Sequence, residues 1–241
     1  MESLHTQRTT AVLLGALVTA ATVACGGAAR NEPRAATRPI AARATETATA
    51  ATTELEALYR ARTDSARMRF TEADVRFMTG MIAHHAQALV MAGLAPTHGA
   101  SPRLRTLTAR IINAQRDEIA WMQTWLRDRG RPVPQVHIEG TELTVSGVDE
   151  DLMHMPGMLT PQQMRDLDRS RETEFDRRFL TYMIQHHQGA VSMVDELFGT
   201  DGAAQGGSTF KLASDIQVDQ ATEIARMKLM LEALPGSGGG P

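Results

Sequence analysis

Two stretches of this chain carry adjacent histidines set among methionines at matching spacing. The first holds Met81, His84, His85 and Met91, the second Met183, His186, His187 and Met193, at a constant offset of 102 residues. Thioether sulfur is a poor ligand for magnesium, calcium or iron(III) and a good one for copper(I) or silver(I), while imidazole accepts copper in either oxidation state and zinc. The mixture fits copper(I) best, with copper(II), silver(I) and zinc as alternatives. Because imidazole binds metal as the neutral base, affinity is expected to weaken as pH falls through the histidine range, and an all-methionine site would be far less affected.

Neighbouring residues on a helix lie about 100° apart, so paired histidines cannot both point the same way. The apolar stripe of Met78, Met81, Ile82 and Leu89 passes through position 85, and that of Leu180, Met183, Ile184, Val191 and Val194 through 187. This predicts His85 and His187 facing inward, with His84 and His186 on the adjoining face. Each helix then offers a Met, His, Met ladder along one edge. Gln115, Glu118 and Met122 share a face of a second helix, as do Gln220, Glu223 and Met227. Either carboxylate would orient an imidazole through its other nitrogen or bind metal directly. Between the halves, Met153, His154, Met155 and Met158 are further candidate donors, or a methionine cover over the bundle. Buried histidines and methionine stripes are commonly plain core. Repetition of the whole pattern favours metal, although one ancestral core motif copied once would look the same.

The elements that must position these residues have recognisable starts. Thr71 with Asp74 reads as an N-cap for a helix towards Gly93 to Ala95, and Ser101-Pro102 opens a second that stops near Gly130-Arg131-Pro132. Thr160-Pro161-Gln162-Gln163 supplies a capping box for a third region reaching about Phe198, with a break or bend expected near Arg171 to Glu174. Ser208 or Thr209 starts a fourth, ending before Pro235. The second helices of the halves also match, at an offset of 105: Ile111, Gln115, Glu118, Ile119, Met122 and Leu126 against Ile216, Gln220, Glu223, Ile224, Met227 and Leu231. Two homologous helical hairpins, each with an apolar stripe to cover, predict an all-α four-helix bundle over residues 68–235 with approximate twofold symmetry. A small hairpin is expected around Val136 to Val145 in the connection, and residues 236–241 read as a flexible tail.

The start of the 241-residue chain reads as an export signal. Residues 11–24 form an apolar run, short for a membrane span, preceded by Arg8 and ending in small residues. Thr22-Val23-Ala24-Cys25-Gly26 resembles a bacterial lipobox with Thr where Leu is usual, which would make Cys25 a lipid-bearing first residue in the cell envelope. Cleavage near Ala24 as an ordinary signal, or an uncleaved anchor, are the alternatives. Residues 25–67 read as a linker, poor in core-forming side chains, with a short helix at 54–69 presenting Leu55, Leu58 and Tyr59. Cys25 is the only cysteine, which excludes an intramolecular disulfide and a thiolate cluster. The net charge of −3, with arginines scattered among acidic residues, argues against nucleic acid as a partner.

The segments Phe77-Met78-x-x-Met81-Ile82-x-His84-His85, Gln115-x-x-Glu118-Ile119, Met155-Pro156-Gly157-Met158-Leu159-Thr160, Phe175-Asp176-x-x-Phe179-Leu180-x-x-Met183-Ile184-x-His186-His187-x-Gly189-Ala190 and Glu223-Ile224 with Met227 resemble the bacterial family called domain of unknown function 305. The resemblance covers about residues 70–232. It implies a ferritin-like fold and an exported protein that binds copper in the periplasm, buffering it or delivering it to an efflux or chaperone protein rather than catalysing a reaction. Two other readings compete. A ferritin-like di-iron oxidase needs Glu-x-x-His on two helices, but the residues three before the histidines are Met81, Ile82, Met183 and Ile184. A metal-free envelope lipoprotein, structural or partner-binding, would use the histidines as hydrogen-bonded core.

Overall fold

A computed structural model of the protein describes residues 40–148, 152 and 154–235. Cys25, the signal-like segment, Met153 and the C-terminal tail lie outside the described residues. The described residues fall into two units that divide between residues 50 and 51. The first helix, α1 (Ile40–Arg67), replaces most of the expected linker and is longer than the helix expected at 54–69. It contains no glycine or proline, and its Ala, Glu, Leu and Arg are strong helix formers. The composition reading holds for packing: Leu55, Leu58 and Tyr59 are exposed.

Four longer elements of the second unit form two hairpins, α2 (Glu72–Gly93) with α3 (Pro102–Asp128) and α5 (Glu172–Gly199) with α6 (Gly207–Glu232), which meet along α2 and α5. At α2, Thr71 Oγ1 accepts from the Asp74 N–H while the Asp74 carboxylate accepts from the Thr71 N–H. The other Asp74 oxygen accepts from the Ala204 N–H at 2.8 Å, so one buried carboxylate both caps α2 and fixes the α5–α6 loop. Helix α2 is buried almost continuously from Phe77 to Ala92, as a central helix must be. Helix α3 buries one stripe, including Leu104, Leu107, Ile111, Gln115, Ile119 and Met122.

The apolar interior falls into two clusters. Met78, Met81, Met122, Met193 and Ile216 belong to one; Met91, Ile111, Phe179, Met183 and Met227 belong to the other. The positions between them on all four helices carry the polar side chains: His84 and His85 on α2, Gln115 and Glu118 on α3, His186 and His187 on α5, Gln220 and Glu223 on α6. A polar layer therefore crosses an otherwise apolar bundle.

The expected small hairpin is present as β1 (Gln135–Glu139) and β2 (Glu142–Ser146), antiparallel with Val136 opposite Val145. Of the break or bend expected there, the structure has a break: the third helical region divides into α4 (Pro161–Arg169) and α5, with Ser170 and Arg171 extended. At the break Glu172 has φ 54 and donates its N–H to the His98 carbonyl at 2.8 Å. Buried His98 in turn donates from Nε2 to the Asp168 carbonyl at 2.8 Å. The break is thus tied to the turn between α2 and α3.

A strap, Met155 to Leu159, crosses the bundle. Gln87 of α2 holds its end by donating to the Leu159 carbonyl at 3.1 Å and accepting from the Leu159 N–H at 2.7 Å. Gly157, at φ +79, lies against Gly189 of α5: a Cβ on Gly189 would fall 1.9 Å from the Pro156 carbonyl oxygen. Gly189→Ala is expected to lower stability by about 1–3 kcal/mol as overpacking lifts the strap, outweighing roughly 1 kcal/mol of helix propensity gained. Urea unfolding checks this. A variant as stable as the parent would mean that the close approach contributes nothing.

Candidate metal centre

All four repeated histidines are fully buried. His85 and His187 are inward, as the apolar stripes predict, and His84 and His186 are interior as well. His84 and His186 meet where the hairpins pack, with ring centroids 3.8 Å apart at 40°. His85 and His187 instead face the second helix of their own hairpins. His85 Nε2 donates to Glu118 Oε2 at 2.7 Å, and His187 Nε2 donates to Glu223 Oε2 at 2.6 Å. The repeated Gln-x-x-Glu motif is the reason: the same helical register in each hairpin brings a carboxylate opposite the second histidine.

The methionine ladders also rearrange. Met81 shares an apolar cluster with Met193, and Met91 with Met183, so each cluster draws one of these methionines from α2 and one from α5. The two helices cross antiparallel: Gly80 approaches Met193 while His84 meets His186. Each side of the histidine layer consequently receives one methionine from each repeat. Met122 and Met227 sit one in each cluster. Met155 and Met158 belong to the strap and His154 is exposed beside it.

Hydrogen bonding fixes which nitrogens have free lone pairs. His84 Nε2 donates to the Pro156 carbonyl at 3.1 Å, leaving Nδ1 as the bare acceptor. The carboxylates leave Nδ1 of His85 and His187 in the same condition when these rings are neutral. For His186 neither nitrogen makes a well-formed hydrogen bond. In all, Nδ1 of the four histidines and Nε2 of His186 are buried without a partner, as are both amide atoms of Gln115 and Oε1 of Gln220. Each such orphan costs about 1–3 kcal/mol in a folded protein. Their concentration in one layer marks a place where the fold is not optimised for stability alone.

The surroundings favour the neutral form of His84, His186 and His187. His84 is pushed down from 6.5 to about 3, first by burial and then by His85, with the Pro156 carbonyl opposing. His186 is lowered well below the ordinary value by burial, then by His84, His187 and His85, with the His84 backbone opposing slightly. Burial also lowers His187, although Glu223 counteracts it. Asp219, raised by burial and then by Glu118, Glu223 and Asp215, adds another carboxylate near the outer rim.

Neutral imidazole with an exposed lone pair is the form that coordinates metal. Among the described residues, no group of three or more His, Cys, Asp and Glu side chains is arranged to hold a metal ion. Imidazoles and carboxylates alone therefore do not complete a site. Donors that fit include the thioethers bordering the layer, and a thioether-containing set selects soft ions. Sequence reasoning named the histidines, methionines and carboxylates of this layer. It missed Gln87 and the Pro156 carbonyl, whose roles depend on contacts 72 residues away in the chain.

The model of the domain of unknown function DUF305 matches residues 74–231, and the chain belongs to that family. Among similar solved structures, a DUF305 protein from Streptomyces coelicolor is 24% identical with TM-score 0.58, covering 70% of this chain and 98% of its own. A DUF305 fragment from Deinococcus radiodurans is 28% identical with TM-score 0.57, covering 68% and 99%. CopM in its Cu(I)-bound form is 29% identical with TM-score 0.51, covering 68% and 98%; CopM has also been solved in Cu(II)-bound and Ag-bound forms. Comparison with curated proteins gives no match. No helix among the described residues is long and apolar enough to cross a membrane.

Proposed function

We propose that this protein is an exported copper(I)-binding protein that sequesters or delivers copper in the cell envelope, with no catalytic activity of its own. The observation that carries this reading is the buried layer of four histidines whose Nδ1 atoms have no hydrogen-bond partner. The copper- and silver-bound forms of CopM support it, as does the thioether sulfur on both sides of the layer. His84, His85, His186 and His187 supply imidazole donors; Met81, Met193, Met91 and Met183 supply soft ones. Glu118 and Glu223 orient His85 and His187. Sequestration needs no open coordination position for a substrate. Lipid attachment at Cys25 would hold the protein at the membrane, where an efflux or chaperone protein could receive the metal.

The test is an anaerobic titration of the protein with copper(I) against a competing chelator. Saturable binding that survives competition is expected. Absence of binding would overturn the reading and favour a metal-free core. Glu118→Gln with Glu223→Gln is expected to weaken copper(I) binding about 10–100-fold, the usual effect of removing groups that orient ligating imidazoles. The same competition titration checks it, and unchanged affinity would restrict both carboxylates to a structural role.

A further inference from the structure

We propose that the two cavities beside the strap form a thioether-lined port for soft monovalent metal ions, in which Met158 and Met164 receive the ion and Met155 passes it towards Met193 and the histidine layer. The proposal rests on the metal-binding reading above. Fully buried histidines need a route to solvent, and the strap covers one side of them: the Pro156 carbonyl occupies His84 Nε2 and Gly157 lies against α5.

A cavity of about 760 Å³ opens between β2, the strap and the start of α4, and its walls include Met155, Met158, Met164 and His154. A second, of about 280 Å³, lies between α2 and α5, and its walls include Met155, His154, Met193 and Phe77. His154 and Met155 line both, so the strap is the wall between them. Gly80 makes room for two methionines of the second cavity's wall. A Cβ there would lie 2.8 Å from Met155 Sδ and 3.5 Å from Met193 Cε, so the bare backbone lets both side chains reach α2 beside Met81, one turn before His84.

Charge does not explain the route, since each cavity has one acidic and one basic residue in its wall, Glu142 with Arg165 and Glu196 with Arg76. Selection falls to the thioethers. They coordinate soft ions, do not titrate near neutral pH, and sit on flexible unbranched side chains that can hand an ion on. Methionine also serves as plain gap-filling core, and the two roles differ in kinetics: a filler affects stability, whereas a port sets the rate of loading.

Copper(I) presented to the full chain as its bicinchoninate complex, anaerobically and where the rate rises with protein concentration, separates them. Met155→Leu and the double variant Met158→Leu/Met164→Leu conserve volume closely enough to fold. Loading is expected to slow at least tenfold in each, with the equilibrium affinity within about twofold of the parent. Met230→Leu, buried but lining neither cavity, should change neither. Unchanged rates in both port variants would overturn the port while leaving the metal-binding reading intact. Loss of affinity together with rate would also overturn it, making these methionines ligands of the final site. A parent protein that binds no copper would overturn the underlying reading, and the port with it.

Discussion

Replacing His84 and His186 together with leucine is expected to lower copper(I) affinity more than about a hundredfold, beyond what loss of an orienting group costs, while leaving the metal-free protein at least as stable as the parent. The two effects have one origin. These rings contribute three buried nitrogens with no hydrogen-bond partner, Nδ1 of His84 and both nitrogens of His186. Leucine fills similar space without a polar group to desolvate, and each orphan removed is worth about 1–3 kcal/mol. Against this stands the single bond from His84 Nε2 to the Pro156 carbonyl, worth about 1 kcal/mol net. Ordinary core histidines would give the opposite result, because their replacement breaks satisfied hydrogen bonds. Competition titration and urea unfolding of the metal-free variant measure the two halves of the prediction. A clear loss of stability with intact copper affinity would return this pair to the core.

Metal-free protein is expected to lose stability steadily as pH falls from 7 to 5. His84 has its folded value near 3 against 6.5 unfolded, so above 6.5 both states are neutral and pH has no effect through this residue. Below 6.5 the unfolded chain takes up a proton that the folded protein refuses, and stability falls until the folded value is reached. At pH 5 this amounts to about 2 kcal/mol for His84, and His186 and His187, also lowered, act in the same direction. A plot of urea midpoint against pH should show the slope, and the leucine double variant should show a shallower one. A flat profile in the parent would mean that these rings accept protons in the folded state. Burial also corrects the pH dependence expected for metal binding: proton competition at His84 moves well below the ordinary histidine range, so its contribution to native-state copper affinity stays nearly constant between pH 7 and 5.

The helices, their caps and the duplication were legible because each is written locally. The Thr71–Asp74 and Thr160–Gln163 boxes and the Ser101 cap form as expected, and Val136 faces Val145 in the small hairpin. The pairing of the second histidine with a carboxylate was legible as an alternative, since Gln115-x-x-Glu118 and Gln220-x-x-Glu223 stand at equivalent places in the two repeats. Helix α1 was underestimated because a composition too polar to build a core can still be helical when it lacks glycine and proline. The Gly157–Gly189 contact was present in the motif without its meaning, which requires two segments to touch.

By itself the sequence determined that two copies of a histidine and methionine pattern would lie on helices with an acidic face beside them. Periodicity specifies which residues share a face, because it follows from the geometry of one helix. Only the tertiary structure decided what meets that face. The antiparallel crossing of α2 and α5 brings His84 onto His186, gives each apolar cluster a methionine from both helices, and sets the polar layer between the two clusters. That crossing is fixed by the packing of four helices at once, a non-local balance that no single helical period contains.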